Sequence, residues 1–108
     1  MASISVPQPD TLALEGEVDL NDSPAIKARL AELLAGKPPR VFIDLGGVSY
    51  IDSSGLAALI EAMQRIQAYG GALALYGIHS NVQNVFQISR LDQVFRIFPD
   101  REAAEAGL

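Results

Sequence analysis

From Thr11 to Val18 the chain alternates, with Leu12, Leu14, Gly16 and Val18 on one face and Ala13, Glu15 and Glu17 on the other. That period of two belongs to a half-buried strand. Ser3 to Val6 is a short partner for it. Pro7-Gln8-Pro9-Asp10 between them carries turn chemistry, because proline fixes φ and aspartate accepts local backbone hydrogen bonds. The pattern predicts a hairpin or a short irregular lead-in. The period then changes to helical. Ser23 is a candidate cap, Pro24 suits the first helical position, and Gly36 stands where a left-handed terminating residue is wanted. Ile26, Leu30, Leu33 and Leu34 form the buried stripe between these signals.

Lys37-Pro38-Pro39 ends that helix, and Val41-Phe42-Ile43 with Leu45 reads as a strand buried on both faces. Asp44 interrupts it, and Gly46 to Ile51 is expected to be a short connection. Asp52-Ser53-Ser54-Gly55 opens a second helix, with Leu56, Leu59, Ile60, Met63 and Ile66 at helical spacing up to Tyr69-Gly70-Gly71. Ala72 to Tyr76 is a short buried strand. Ser80-Asn81-Val82-Gln83 has the form of a capping box and predicts a short third helix. Val94 to Phe98 is expected to be the last strand, halted by Pro99, and Asp100 to Ala106 a terminal helix. Strands alternating with helices of this length predict an α/β fold. The sheet is mixed, four- to five-stranded and mostly parallel, with about four helices.

Composition narrows the function. At 108 residues and 49% hydrophobic, the chain fits one globular domain over 1–108, with 1–10 as lead-in strand and turn. The absence of cysteine excludes disulfides and thiolate metal sites; with His79 the lone histidine, a zinc site would need an uncommon, carboxylate-dominated ligand set, and a Ser-His-Asp triad would have to be built around that one residue. His79 reads as a polar loop residue. Eight Lys and Arg against thirteen Asp and Glu give a net charge of −5 with no basic run, so nucleic acid is not an expected partner. No basic leader precedes an apolar stretch and no window approaches a membrane span, so a cytoplasmic chain without membrane insertion is expected. Neither a Walker lysine nor a G-x-G-x-x-G run follows any strand, and no cofactor is expected. Asp19, Asp22, Asp44 and Asp52 form a conceivable carboxylate cluster, yet turn and cap roles explain each one singly.

The most unusual segment is Tyr50-Ile51-Asp52-Ser53-Ser54-Gly55-Leu56. With Asp52 as cap, Ser53 and Ser54 fall in the first helical turn, where unpaired N–H groups and the positive end of the helix dipole favour an added phosphate. A purely structural role fits the same residues: Asp52 caps, the serines satisfy orphan donors, and Gly55 permits close packing.

The run from Val41 to Leu56 resembles the signature of STAS domains, the sulfate transporter and anti-sigma factor antagonist family. Glu15-Gly16-Glu17-Val18-Asp19 resembles the family's second-strand segment, and Leu91-Asp92-Gln93-Val94-Phe95 with Ile97-Phe98 its closing strand, so that 11–104 is covered in the family's order. The resemblance implies a non-enzymatic protein that works by partner switching. An anti-sigma factor with serine kinase activity binds the unmodified form and phosphorylates the first hydroxyl after the motif aspartate; a serine phosphatase reverses this. By residue match the acceptor is Ser53, with Asp19, Asp52, Ser54 and Gly55 supporting the site or the partner. Loops from Asp19 to Ser23 and from Gly77 to Ser80 are expected to rim it. The family's other branch implies an alternative, an accessory subunit of an ABC-type lipid transporter.

Overall fold

The computed structural model describes residues 2–108. Its five strands are β1 (Ser3–Gln8), β2 (Thr11–Val18), β3 (Arg40–Ile51), β4 (Ala72–Tyr76) and β5 (Arg96–Phe98). Its helices are α1 (Ser23–Ala35), α2 (Ser53–Ala68), α3 (Ser80–Ile88) and α4 (Arg101–Gly107), and a 3-10 turn covers Leu91–Gln93. The sheet runs β1-β2-β3-β4-β5, with β1 antiparallel to β2 and the remaining pairs parallel. The hairpin and the α/β architecture are as the sequence predicts.

The strand order never reverses. Successive crossovers of one hand therefore put their helices on the same side of the sheet. Ile26, Leu30 and Leu34 of α1, Leu59 and Ile66 of α2, and Val82 and Phe86 of α3 accordingly share one core with the inward residues of β2 and β3. Phe86 meets Phe95 edge to face, with centroids 5.8 Å apart. On the other face, α4 brings Ala104 onto Phe42 and Ala74, with Tyr76, Phe98 and Leu108 around them. Phe42 is thus buried against α4 while Val41 and Ile43 face the main core, so β3 is covered on both sides there.

Several expected boundaries move. Gly46 to Ile51 is not a connection but the second half of β3, paired with β2 from Glu15↔Gly47 to Val18↔Ile51. Two register shifts, between Ala13 and Glu15 and between Gly16 and Glu17, absorb the extra residues of β3. Asp44 stabilises the first by accepting the Gly46 N–H at 2.8 Å, and Gly16 stands at the second with φ +91°, where a side chain would be strained. The closing strand is only Arg96–Phe98, because Leu91, Val94 and Phe95 are spaced as a helical turn and fold as one. Asp22, not Ser23, holds the cap position of α1, and His79, not Ser80, that of α3. The left-handed residue after α1 is Lys37 (φ 51°), whereas Gly36 is right-handed.

Candidate functional site

The site lies where β3 runs into α2. β2 and β3 end level, with Val18 opposite Ile51, and the Asp52 N–H donates to the Val18 carbonyl at 3.1 Å. This bond turns the chain out of the sheet at a fixed point. Asp52 is extended and caps α2: its Oδ1 accepts the Ser54 N–H at 2.9 Å, the Gly55 N–H at 3.2 Å and the Ser54 hydroxyl at 2.5 Å. The Ser54 hydroxyl above all, with the Gly55 and Ser54 N–H groups, holds the Asp52 carboxyl below its ordinary range, outweighing the desolvation that opposes them.

The two serines are therefore not equivalent. Ser54 is half-buried and its hydroxyl is engaged by Asp52, while Ser53 is exposed and takes no part in this network. Gly55 is buried behind them: a Cβ there would stand 2.7 Å from Val18 Cγ1 and 2.8 Å from Ile51 Cγ1. The first turn of α2 can sit this close to the ends of β2 and β3 only with glycine at that position.

Asp19 begins the adjoining β2–α1 loop. Its carboxylate accepts the Asn21 N–H at 2.9 Å, and its carbonyl accepts the N–H groups of Asp22 and Ser23, so its side chain is used within its own turn. The loop reaches α2 through Ser23, whose hydroxyl donates to the Ser54 carbonyl at 3.5 Å. Asp22 ties the same loop to the N-terminal segment, taking the N–H of Ala2 at 3.1 Å and of Asp19 at 3.3 Å. The Ala2 N–H in particular keeps the Asp22 carboxyl below its ordinary range. These two buried polar residues, Asp22 and Ser23, are joints that a capping signal alone does not reveal.

The second expected rim lies further along β3. His79 contacts the Gly46 carbonyl and the Asn81 amide donates to the Ser49 carbonyl at 2.7 Å, so the Gly77–Ser80 loop borders the bulged half of β3 rather than Ser53. Two exposed apolar side chains were not anticipated: Leu20, 71% exposed in the β2–α1 loop, and Tyr50, 50% exposed near the end of β3. The sequence pattern does not mark them as exposed: Leu20 extends the apolar row of β2 one step past the strand's end at Val18, and Tyr50 falls two positions after the buried Val48. Among the described residues, Asp19, Asp22, Asp44 and Asp52 do not converge, and no three His, Asp or Glu side chains could hold a metal ion. No described helix is long and apolar enough to cross a membrane.

A family model described as the STAS domain matches residues 4–104. The chain belongs to the STAS domain family. Among curated relatives of this STAS domain, BtrV of Bordetella bronchiseptica, which carries the provisional name of an anti-sigma factor antagonist, is 32% identical over 94 residues, covering 87% of this chain and 81% of BtrV. The anti-sigma-B factor antagonist of Listeria monocytogenes is 28% identical over 99 residues, covering 88% and 87%. The fold of the STAS domain recurs in the crystal structure of an anti-sigma factor antagonist from Mycobacterium paratuberculosis, with TM-score 0.89, 22% identity and coverage of 99% and 93%. It recurs in the Bacillus cell fate determinant SpoIIAA in its phosphorylated form, with TM-score 0.70, 21% identity and full coverage of both chains.

Proposed function

We propose that this chain is an anti-sigma factor antagonist that switches partners through phosphorylation of Ser53. The observation that carries the reading is the asymmetry at the start of α2: Asp52 engages the Ser54 hydroxyl and leaves Ser53 exposed on the same helical turn. The relatives named as antagonists support the role, and the phosphorylated state named for SpoIIAA supports the chemistry. In this role the chain is a ligand and a substrate, not a catalyst. It needs no cofactor, and its place of work is the cytoplasm.

An anti-sigma factor with serine kinase activity would take the proton from Ser53 Oγ as that oxygen attacks the γ-phosphorus of ATP, and ADP leaves. The new ester brings about −1.5 to −2 charges at neutral pH. The helix N-terminus favours that charge locally. A docked kinase does not, because it holds its nucleotide's own phosphates against the acceptor and must desolvate the product beside Asp52. Release follows without refolding, and a serine phosphatase restores the binding form.

The test is phosphoryl transfer from each purified serine-kinase-type anti-sigma factor of the host, read by intact mass. One phosphate is expected on the native chain and on Ser54→Ala, none on Ser53→Ala, and the Ser53→Ala chain still binds. If no such kinase modifies or binds the chain, the reading fails, and the lipid-transporter accessory role becomes the one to pursue.

A further inference from the structure

The unreversed strand order leaves part of the second sheet face bare. Among the described residues α4 is the element packed on that face, and it covers the end formed by Phe42, Ala74, Tyr76 and Phe98. Beyond it the outward row of β2 and β3 continues through Ala13↔Asp44, Glu15↔Gly47 and Glu17↔Tyr50. Parallel ladders are ordinarily covered on both faces. This one runs out into solvent, with Glu15, Glu17 and Tyr50 exposed and Leu20 just past its end.

The charge of this region is one-sided. Residues 11–26 and 41–56 contain Glu15, Glu17, Asp19, Asp22, Asp44 and Asp52 and not one Lys or Arg. The covered end of the same face shows how the surface receives a cation. There the Arg101 guanidinium lies over the Phe42 ring, 4.6 Å from its centroid, and pairs with Asp10 at 3.5 Å. At the bare end the register sets another aromatic ring, Tyr50, beside another carboxylate, Glu17, and among the described residues no cation pairs with it.

We propose that Glu17 and Tyr50 form the docking point for an arginine side chain of a partner protein, whose adjoining apolar side chains cover Leu20. An arginine suits the pair better than a lysine, because a planar guanidinium stacks on the ring while its edge pairs with the carboxylate. That the partner is the anti-sigma factor rests on the antagonist reading above. The docking point stands beside Ser53 rather than on it, so the partner's cation meets Glu17 while its nucleotide meets the serine.

The experiment titrates the isotope-labelled chain with a short peptide alternating leucine and arginine, and with its counterpart carrying glutamate for arginine, following backbone amide shifts. The arginine peptide is expected to move Glu17, Leu20 and Tyr50. Its affinity should fall about two- to fivefold for Glu17→Gln and for Tyr50→Ala, hold for Tyr50→Phe, and weaken several-fold from about 50 to about 200 mM salt. Equal shifts with the glutamate peptide, shifts scattered elsewhere, or an unchanged affinity in Tyr50→Ala would overturn the proposal. So would concentration-dependent shifts of the same amides without peptide, which would mean that a second copy occupies the face. Failure of phosphoryl transfer with this mapping intact removes the antagonist reading and leaves the docking point; transfer to Ser53 without the mapping does the reverse.

Discussion

Replacing Asp52 tests the geometry on which the site depends. Its Oδ1 receives two backbone N–H groups and one hydroxyl at the head of α2. Losing a capping side chain costs about 0.5–2 kcal/mol, and the half-buried Ser54 hydroxyl loses its acceptor as well, so Asp52→Ala should cost about 1–2 kcal/mol at neutral pH. Asp52→Asn keeps an acceptor for the N–H groups and loses only the charge–dipole part, about 0.3–1 kcal/mol. The sign of the pH dependence follows from the lowered carboxyl. A carboxylate stabilised in the fold contributes fully above its unfolded value, near 3.8, and the contribution is lost as pH falls through the lower folded value. Urea unfolding of the native chain and Asp52→Ala should therefore give a constant difference between about pH 7 and pH 5 and a narrowing one below about pH 4. Asp22 titrates in the same direction but is present in both chains, so it cancels in the difference. A difference that stays unchanged at low pH would mean that the carboxylate charge is not what holds the helix start.

Gly55→Ala gains helix propensity of about 1 kcal/mol, but its Cβ meets the stiff branched side chains of Val18 and Ile51 within 2.8 Å. Overpacking of about 1–3 kcal/mol should win; a lower melting temperature by calorimetry is expected, and an equal or higher one refutes the tight approach of α2 to the sheet. Arg101→Ala removes bonds to Thr11 and Gln8, the pair with Asp10 and the stack on Phe42, and should cost about 1–2 kcal/mol in denaturant unfolding. Arg101→Lys should not restore it, because an ammonium cannot stack and branch to several acceptors at once. Phosphorylated and unmodified chains should melt within a few degrees of each other, since the dipole's gain of about 0.3–1 kcal/mol offsets repulsion from Asp52; a large drop would mean that the switch works by unfolding.

The start of α2 was legible because every cue is local: an aspartate, two hydroxyl residues and a glycine directly before a helical period. The second half of β3 was not. Gly46-Gly47 reads locally as a turn, and only pairing with β2, a contact distant in sequence, keeps it extended. Leu91 to Phe95 failed for the opposite reason. The apolar run from Val94 to Phe98 before Pro99 reads as one strand, although Leu91, Val94 and Phe95 already have the spacing of a turn. Caps slipped by one residue where a tertiary bond competed, as at Ser23, whose hydroxyl turns to the Ser54 carbonyl instead of its own helix. Which face each helix covers depends on strand order, which the alternation of elements does not contain. The grip on α4 was equally hidden, because Arg40 on β3 reaches the Glu105 carbonyl across 65 residues of chain, beside the nearer contact of Arg96 on β5 with the Gly107 carbonyl.

The same strand order that packs three helices on one side gives the site its character. Ser53 is held by the ends of two interior strands, through the Asp52–Val18 bond and the close seat of Gly55, and not by a mobile loop. A modification there has no soft element to rearrange, so its effect must be read from outside, as added charge and bulk on a fixed surface. That surface is already acidic and carries two exposed apolar anchors, Leu20 and Tyr50. In the proposed switch, a partner that fits it would be attracted by carboxylates that do not change and rejected by the phosphate ester added to Ser53. On the proposed reading, recognition and regulation separate by residue: Glu17 and Tyr50 would set how well the partner docks, and Ser53 whether it can.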